Sequence, residues 1–386
     1  MCLKPSHETC YEISLFSETD IDSRASSTGL GVPAFGRKSG WREQIIPVLL
    51  FAIGVILIVV ALWPFGPYQL SLLLARRLHH FPSPAVLDGM TAAQDGATFA
   101  ICLCAYNEAA VIADKVEDLL RLREAAGGEL DILVYVDAAT DGTTSILESY
   151  RDRVQLVVGD ARRGKTHGMN LLVGRTNASI VMFTDANVRI DPNAVAVLRR
   201  YFADESIGCV CSDLSYINAS QSATAAVGSA FWSFNEWSKG LETATGSVIG
   251  ADGSLFAIRR ELHRPVPKGL FDDLFVSLCV LFAGYRVVRA PELRAYETHA
   301  TQATDEYRRK VRIACECMHV HFELWPEMRR RLDLWNPYKL SVIGCCAGSE
   351  VSSSFSRRPS LPRLLHLRSA RSACLLRPYC CRSHSS

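Results

Sequence analysis

This chain has no dominant sign of charge. Its 386 residues carry 42 Lys and Arg against 40 Asp and Glu, a formal +2, so a nucleic-acid partner, whose affinity would rest on phosphate neutralisation, is not expected. Metal-type cysteine spacing is also missing: none of the 14 cysteines repeats as Cys-x-x-Cys. Cys102/Cys104, Cys209/Cys211 and Cys315/Cys317 are i,i+2 pairs, which suit reduced thiols inside a cytosolic domain better than zinc ligands. No Gly-x-Gly-x-x-Gly follows the first strand-like run, which disfavours dinucleotide-binding chemistry. No internal repeat is visible. What remains is an ordinary globular composition, 48% hydrophobic and 21% charged, which excludes disorder throughout and allows one large core or two small ones.

The near-neutral total conceals two opposite parts. From Cys345 to Ser386 there are seven Arg, no Lys, eleven Ser, five Cys and a single acid, Glu350, so this tail carries +6 and the rest of the chain −4. Its apolar residues come in scattered pairs such as Leu364-Leu365, which suits neither a packed domain nor a membrane span. Residues 345–386 are therefore expected to be a disordered tail, of a composition consistent with translation in a shifted frame. At the other end, 1–44 is a polar, flexible arm. Ile45 to Trp63 then runs nineteen residues without a charge, enough at about 1.5 Å per residue to cross a hydrocarbon core of about 30 Å. Trp63 and Tyr68 suit the membrane–water interface. Residues 45–75 are expected to be a transmembrane anchor with its juxtamembrane segment. An apolar run starting 44 residues in, with no small-x-small site after it, does not suit a signal peptide. Arg37, Lys38 and Arg42 precede the run and Arg76 and Arg77 follow it, so charge leaves its orientation open.

From about 97 to about 340, short apolar runs alternate with amphipathic ones, the pattern of βα units on a mainly parallel sheet. Strands are predicted over Phe99–Ala105, Ile132–Asp137, Val154–Gly159, Ser179–Asp185 and Ile207–Tyr216. Ile112, Val116, Leu119 and Leu120 share a helix face that Gly127-Gly128 ends. Asp191-Pro192 is expected to open another helix with Asp as N-cap. Further helices are predicted over Ala223–Ala244, Asp272–Ala283 and Thr304–Phe322.

Ligands of open α/β sheets collect at the carboxyl ends of strands, and here those ends are polar: Ala105-Tyr106-Asn107-Glu108, Asp137 to Thr143, and Thr184-Asp185-Ala186-Asn187. Each alone is compatible with a cap or a turn. Together they deliver carboxylates to one rim, where they repel unless a cation is shared among them; a divalent ion carrying a nucleotide diphosphate meets that need. The basic loop from Asp160 to Lys165, leading into a helix, adds cations and a helix N-terminus suited to a diphosphate. Phe231 to Trp237 is aromatic at helical spacing, which fits stacking on sugar rings or a buried or interfacial face.

Over about 97–320 this ordered series resembles the inverting glycosyltransferases of family 2, of GT-A fold, close to the membrane-bound synthases of cellulose, hyaluronan and poly-N-acetylglucosamine. Asp137 to Thr143 is similar to the family's Asp-Gly-Ser-Thr-Asp-Gly-Thr loop, with Ala138 and Ala139 in place of Gly and Ser. Gly164-Lys165 with Asn170 resembles its Gly-Lys…Leu-Asn stretch, and Asp185-Ala186-Asn187 its Asp-x-Asp. Gly250-Ala251-Asp252-Gly253 resembles the acceptor-side loop and Asp272-Asp273 the acidic motif of the catalytic base. Arg309 to Ile313 falls at Gln-x-x-Arg-Trp but lacks both Gln and Trp, so processivity is not inherited.

The resemblance implies a GT-A nucleotide-diphospho-sugar transferase domain, mainly parallel and flanked by helices, preceded by one transmembrane helix. It implies transfer from a nucleotide sugar, a UDP-sugar, to a hydroxyl of a polysaccharide or glycolipid, with inversion. Tyr106, Glu108, Asp137, Lys165, Asp185, Asp252, Arg309 and Arg312 would bind substrates. Asp185 and Asn187 would hold Mg²⁺ or Mn²⁺, and Asn187, where the family has an acid, binds a hard cation less strongly. Asp273, preceded by Asp272, would be the general base. Because nucleotide sugars are cytosolic, the domain would face the cytoplasm from the inner (plasma) membrane. The alternative is a membrane-tethered nucleotide-sugar binder inactivated by C-terminal truncation. A nucleotidyltransferase would need a Gly-rich loop after the first strand, which is not there.

Overall fold

A computed structural model describes residues 40–78, 96–218, 220–298 and 302–330. The polar arm before residue 40, the segment after residue 330 and the whole 345–386 tail lie outside the described residues. The chain divides into two compact units, 1–54 and 55–386. Of the first, the described part belongs to helix α1 (Gly40–Leu62). Among the described residues no helix is long and apolar enough to cross a membrane. Within the expected span, the side chains of 45–59 are apolar and almost all exposed.

The second unit is built on one eight-stranded sheet, in the order β3-β2-β1-β4-β7-β6-β8-β5. Its strands are β1 (Phe99–Ala105), β2 (Leu130–Val136), β3 (Gln155–Val158), β4 (Ile180–Thr184), β5 (Arg189–Ile190), β6 (Ile207–Tyr216), β7 (Leu255–Arg259) and β8 (Arg286–Glu297). All five expected strands form. The sheet is mixed, however, which corrects the mainly parallel expectation: β7 is antiparallel to both β4 and β6, and β5 is antiparallel to β8. β7 escaped the sequence reading, and so did β8, where Pro291 and the interior charged residues Arg289, Glu292 and Arg294 interrupt the apolar pattern.

Helices cover both faces of the sheet, so its central strands are apolar without alternation. Along β1, Phe99, Ile101 and Leu103 enter one core with helices α3 (Ile112–Ala125), α4 (Thr143–Glu148) and α6 (Ala194–Phe202). Ala100 and Cys102 enter the other, with α5 (Lys165–Val173) and α8 (Asp272–Phe282). At about 1.5–3 kcal/mol for each fully buried large apolar side chain, these two cores supply the driving force for the fold. Helix α3 ends as expected: Gly127 and Gly128 take φ of 69° and 88°, and the Gly128 N–H returns to the Arg123 carbonyl at 2.9 Å. Helix α6 starts later than expected. Its N-cap is Asn193, and Asp191 instead accepts the Asn193 N–H in a lead-in turn, at 2.9 Å.

Helix α2 (Pro67–Leu78) packs on α7 (Ala223–Thr245) through Tyr68, Leu72 and Leu241. Helix α9 (Ala303–Arg330) extends beyond the predicted Thr304–Phe322 and packs Val320 and Leu324 into the second core. The expected buried thiols are there: Cys102, Cys209, Cys211 and Cys279 are buried and unbridged, while Cys315 is exposed.

Helix α5 can lie close to the sheet only because residue 168 lacks a side chain. A Cβ there would sit 2.3 Å from Tyr135 Cδ1 and 2.8 Å from Cys104 Sγ. Gly168→Ala is expected to cost about 1–3 kcal/mol through overpacking, read as a lowered urea midpoint at unchanged m-value.

Candidate functional site

Parallel pairing sets the rim. Ala105 lies beside Val136 and Leu103 beside Thr184, so the chain leaves β1, β2 and β4 at one edge and the three polar segments emerge together. Two turns there use left-handed backbone. Asn107 has φ 56°, which Asn tolerates, and its Oδ1 accepts the Thr140 N–H at 2.8 Å. Ala138 has φ 51°, a strained conformation for a residue with a Cβ, at the position where the family pattern has glycine. Asp141 closes the same corner, accepting from the Thr143 N–H at 2.9 Å and the Ala109 N–H at 3.1 Å. The Thr143 hydroxyl, which donates to the same carboxylate, and these N–H groups hold it below the usual carboxylate range.

Asp137 is buried. Its two oxygens accept the backbone N–H groups of Arg163, at 2.7 Å, and Gly164, at 2.9 Å. In this arrangement it clamps the basic loop. Above it, the Arg162 guanidinium lies 3.9 Å from the centre of the Tyr106 ring, stacked as a cation on its face. Gly164, at φ 93°, turns the loop into α5 and sends Lys165 across the rim. Lys165 Nζ lies 2.8 Å from Asp185 Oδ1 and 3.0 Å from Asp272 Oδ2. Desolvation would lower its pKa; the Asp185 and Asp272 carboxylates outweigh that and hold it well above the usual lysine range.

Asp272 and Asp273 occupy the first turn of α8, whose N-cap, Phe271, makes no side-chain cap. Asp273 is 2% exposed; its Oδ1 accepts the Leu274 N–H at 2.6 Å and its Oδ2 faces the backbone of Gly253. Burial, with Asp272 alongside, pushes its carboxyl well above the usual range, against the pull of Lys165. A Cβ on Gly253 would lie 3.2 Å from Asp273 Oδ2, 3.4 Å from Asp185 Oδ2 and 3.8 Å from Lys165 Nζ. Three chain segments therefore converge on one residue that must stay small.

All eleven candidate residues border one cavity of about 930 Å³. Several are already engaged. Asp252 pairs with the buried Lys239 at 2.5 Å, which in turn holds Glu236 at 2.9 Å. Asn187 donates to Glu297 Oε1 at 2.9 Å. Arg309 reaches the Tyr216 hydroxyl at 3.5 Å, and Arg312 pairs with Glu316 at 3.1 Å on its own helix. Burial, with Asp185 and Asp141 nearby, raises the Glu108 carboxyl. The aromatic stretch divides. Phe231, Trp232 and Phe234 face the cavity, with the Lys310 ammonium 4.3 Å from the Phe231 ring centre, while Trp237 is 48% exposed.

Two supporting residues were missed from sequence. Lys115 is buried under the rim and bonds Thr184 Oγ1 and the Val188 carbonyl on either side of Asp185. Burial lowers its pKa to about 8, against Asp118 and Asp185. Its place on the apolar face, between Ile112 and Val116, was a legible signal. Glu297 ends β8 and went unseen with that strand.

Residues 100–266 match the family model described as Glycosyl transferase family 2. This stretch is a family 2 glycosyltransferase domain. The glycosyltransferase domain is similar to a beta-monoglucosyldiacylglycerol synthase from Synechocystis sp., 27% identical over 190 residues, and the match spans 46% of this chain and about 40% of the relative's length. In structure, the chain resembles a mannosyltransferase from Pyrobaculum calidifontis solved with GDP-Man and Mn²⁺. That likeness has a TM-score of 0.55 at 20% identity and covers 79% of this chain and 88% of that one, which places the GT-A-like α/β fold.

The convergence on Gly253 can be tested. Gly253→Ala is expected to leave the unfolding midpoint nearly unchanged, because its neighbours are ends of side chains, while displacing Asp273 and Lys165 and lowering nucleotide-sugar turnover at least tenfold. Ala138→Val, a β-branched residue in left-handed backbone, is expected to cost about 2 kcal/mol or more, whereas Ala138→Gly changes stability by less than about 1 kcal/mol in chemical denaturation.

Proposed function

We propose that this protein transfers a sugar from a nucleotide-diphosphate sugar, a UDP-sugar, to a hydroxyl acceptor by a single displacement with inversion. The observation that carries this is the meeting of Asp185, Lys165, Asp272 and Asp273 in one cavity, directly beside the loop clamped by Asp137. In the transfer, the acceptor oxygen bonds to the anomeric carbon as the bond from that carbon to the diphosphate oxygen breaks, and the electron pair leaves with the diphosphate. The acceptor proton passes to Asp273 Oδ2, the oxygen not committed to Leu274. A carboxylate becomes an adequate base for an alcohol only as the sugar carbon gains positive charge, and a raised pKa improves the match. Lys165 and the N-terminus of α5 face the charge that develops on the departing diphosphate.

The residues fit a divalent cation. Lys165 takes Asp185 Oδ1 and leaves Oδ2, and Asn187, donating its amide N–H to Glu297, keeps its carbonyl oxygen. Both are hard oxygen donors. Among the described residues no group of three or more His, Cys, Asp or Glu could hold a metal, so diphosphate oxygens and water would complete the shell, as is usual for Mg²⁺. Asp185 and Asn187 would hold the ion, which would supply further neutralisation of the leaving diphosphate.

We further propose that the protein works at the inner membrane with its domain on the cytoplasmic side, and that the acceptor is a glycolipid or polysaccharide hydroxyl. Support comes from the exposed apolar side chains of α1, and from exposed Leu70, Leu73, Leu74 and Leu78 on α2 and Val311, Met318, Phe322 and Trp325 on α9. The Synechocystis relative, named for a glucosylated diacylglycerol, supports a lipid acceptor.

Membranes containing the protein, given a panel of UDP- and GDP-sugars with and without Mn²⁺ or Mg²⁺, should consume one UDP-sugar in a metal-stimulated way; binding without consumption would mean a tethered binder. Asp273→Asn should lower transfer by about 10²–10⁴-fold while nucleotide-sugar binding survives. Because Asp273 must be ionised to act and its pKa is raised, the rate should climb as pH rises past the usual carboxylate range. The same shift means that the folded state gains most from this carboxyl at low pH and loses that gain as pH rises through the raised pKa. Asp273→Asn should therefore unfold at a higher temperature than wild type at neutral pH.

A further inference from the structure

Helix α2 follows the apolar α1 directly and stands outside the family-matched residues, yet it reaches the site. Tyr68 and Gln69 border the cavity. The Tyr68 hydroxyl donates to Glu242 Oε1 at 2.6 Å, and Gln69 Nε2 donates to Ser238 Oγ at 3.0 Å. Glu242 is 8% exposed, and its other oxygen, Oε2, accepts the Ile249 N–H at 3.2 Å. Ile249 begins the stretch that continues through Gly250 to Gly253. The far end of that stretch is held from the same helix, where Lys239, one turn before Glu242, binds Asp252. From α8, Ser277 Oγ accepts the Ala251 N–H at 3.0 Å.

We propose that Glu242 is a positioning residue that latches α2 to the acceptor-side loop, so that α2 forms a wall of the catalytic cavity and the placement of Gly253 against Asp273 depends on it. The inference rests on the transfer reaction proposed above and adds a part to the machinery. Its chemistry is specific to the ionised carboxylate. Two donors, the Tyr68 O–H and the Ile249 N–H, point at its two oxygens, whereas a protonated carboxyl turns an O–H of its own toward one of them, so that one of the two bonds must reverse or break. The charged groups facing it are Lys239, which favours ionisation, and Glu236, which opposes it; burial dominates and raises the carboxyl to about 7. The latch is therefore closed above neutrality and loosens below it.

The test uses the full-length protein in membranes. Tyr68→Phe and Glu242→Gln should each bind nucleotide sugar within about twofold of wild type but lose at least tenfold in kcat for transfer, and Glu242→Gln should lack the component of the pH–rate profile that falls below about pH 7. Leu198→Ala, which opens the first core at α6 away from the cavity and the latch, is the control: it should lower the unfolding temperature and keep kcat. If Tyr68→Phe does not fold, Glu242→Gln decides alone. Wild-type kcat in both latch variants, or an equal loss in Leu198→Ala, would overturn the latch and leave the transfer reaction standing. No sugar-nucleotide consumption by wild type would overturn the reaction itself.

Discussion

The ammonium of Lys165 is the charge on which the rest of the site depends. Asp185, Asp272 and Asp273 come from two different chain segments and cannot crowd one wall as anions without a shared cation, since like charges at such distances cost several kcal/mol in a partly dehydrated cavity. Lys165 touches two of them and lies within the field of the third. Much of the fold upstream serves its position. Asp137 fixes the loop before it, Gly164 permits the turn, and Gly168 lets α5 settle on Tyr135. In the proposed reaction a negatively charged donor would enter this same region, and a second cation on Asp185 and Asn187 would restore the balance that its diphosphate upsets.

The antiparallel strand β7 explains how an acceptor-side loop can meet a donor-side carboxylate. In a purely parallel sheet the rim receives only the loops that follow strands. Because β7 runs against β4, with Leu255 beside Thr184, the loop preceding β7 also arrives there. Residues 250–254 thereby come to lie next to Asp185, and the Thr184 hydroxyl donates to the Ser254 carbonyl at 2.8 Å to seal the contact. The departure from a parallel sheet is thus the device that joins the two halves of the site.

Much of this was legible from sequence. The five strands that read as apolar runs formed within two residues of their expected bounds, because strands covered on both faces need no alternation to be recognised. The polar residues at their ends were recognisable for the same reason, since an apolar run that stops on Asn-Glu or Asp marks a rim. What escaped was set by tertiary contact. Nothing local says that Asp137 would spend both oxygens on the backbone of Arg163 and Gly164, or that Asp252 would turn to Lys239. Tyr68 read as an interfacial aromatic, whereas its hydroxyl is buried on Glu242, a residue 174 positions away that no periodicity could link to it.

The two acids at the start of α8 illustrate how neighbours divide roles. They share a helix turn, yet their environments separate them. Asp272 faces the ammonium and is spent as its counter-ion, which keeps the cation in place. Asp273 is nearly out of contact with water and has its second oxygen against Gly253, which has no side chain. Burial next to Asp272 raises its proton affinity, while the Leu274 N–H fixes its orientation. A base needs affinity for a proton together with an unobstructed approach, and of the acids in this cavity Asp273 combines the two. Asp272 is then required indirectly, because it holds the lysine and supplies the repulsion that tunes its neighbour.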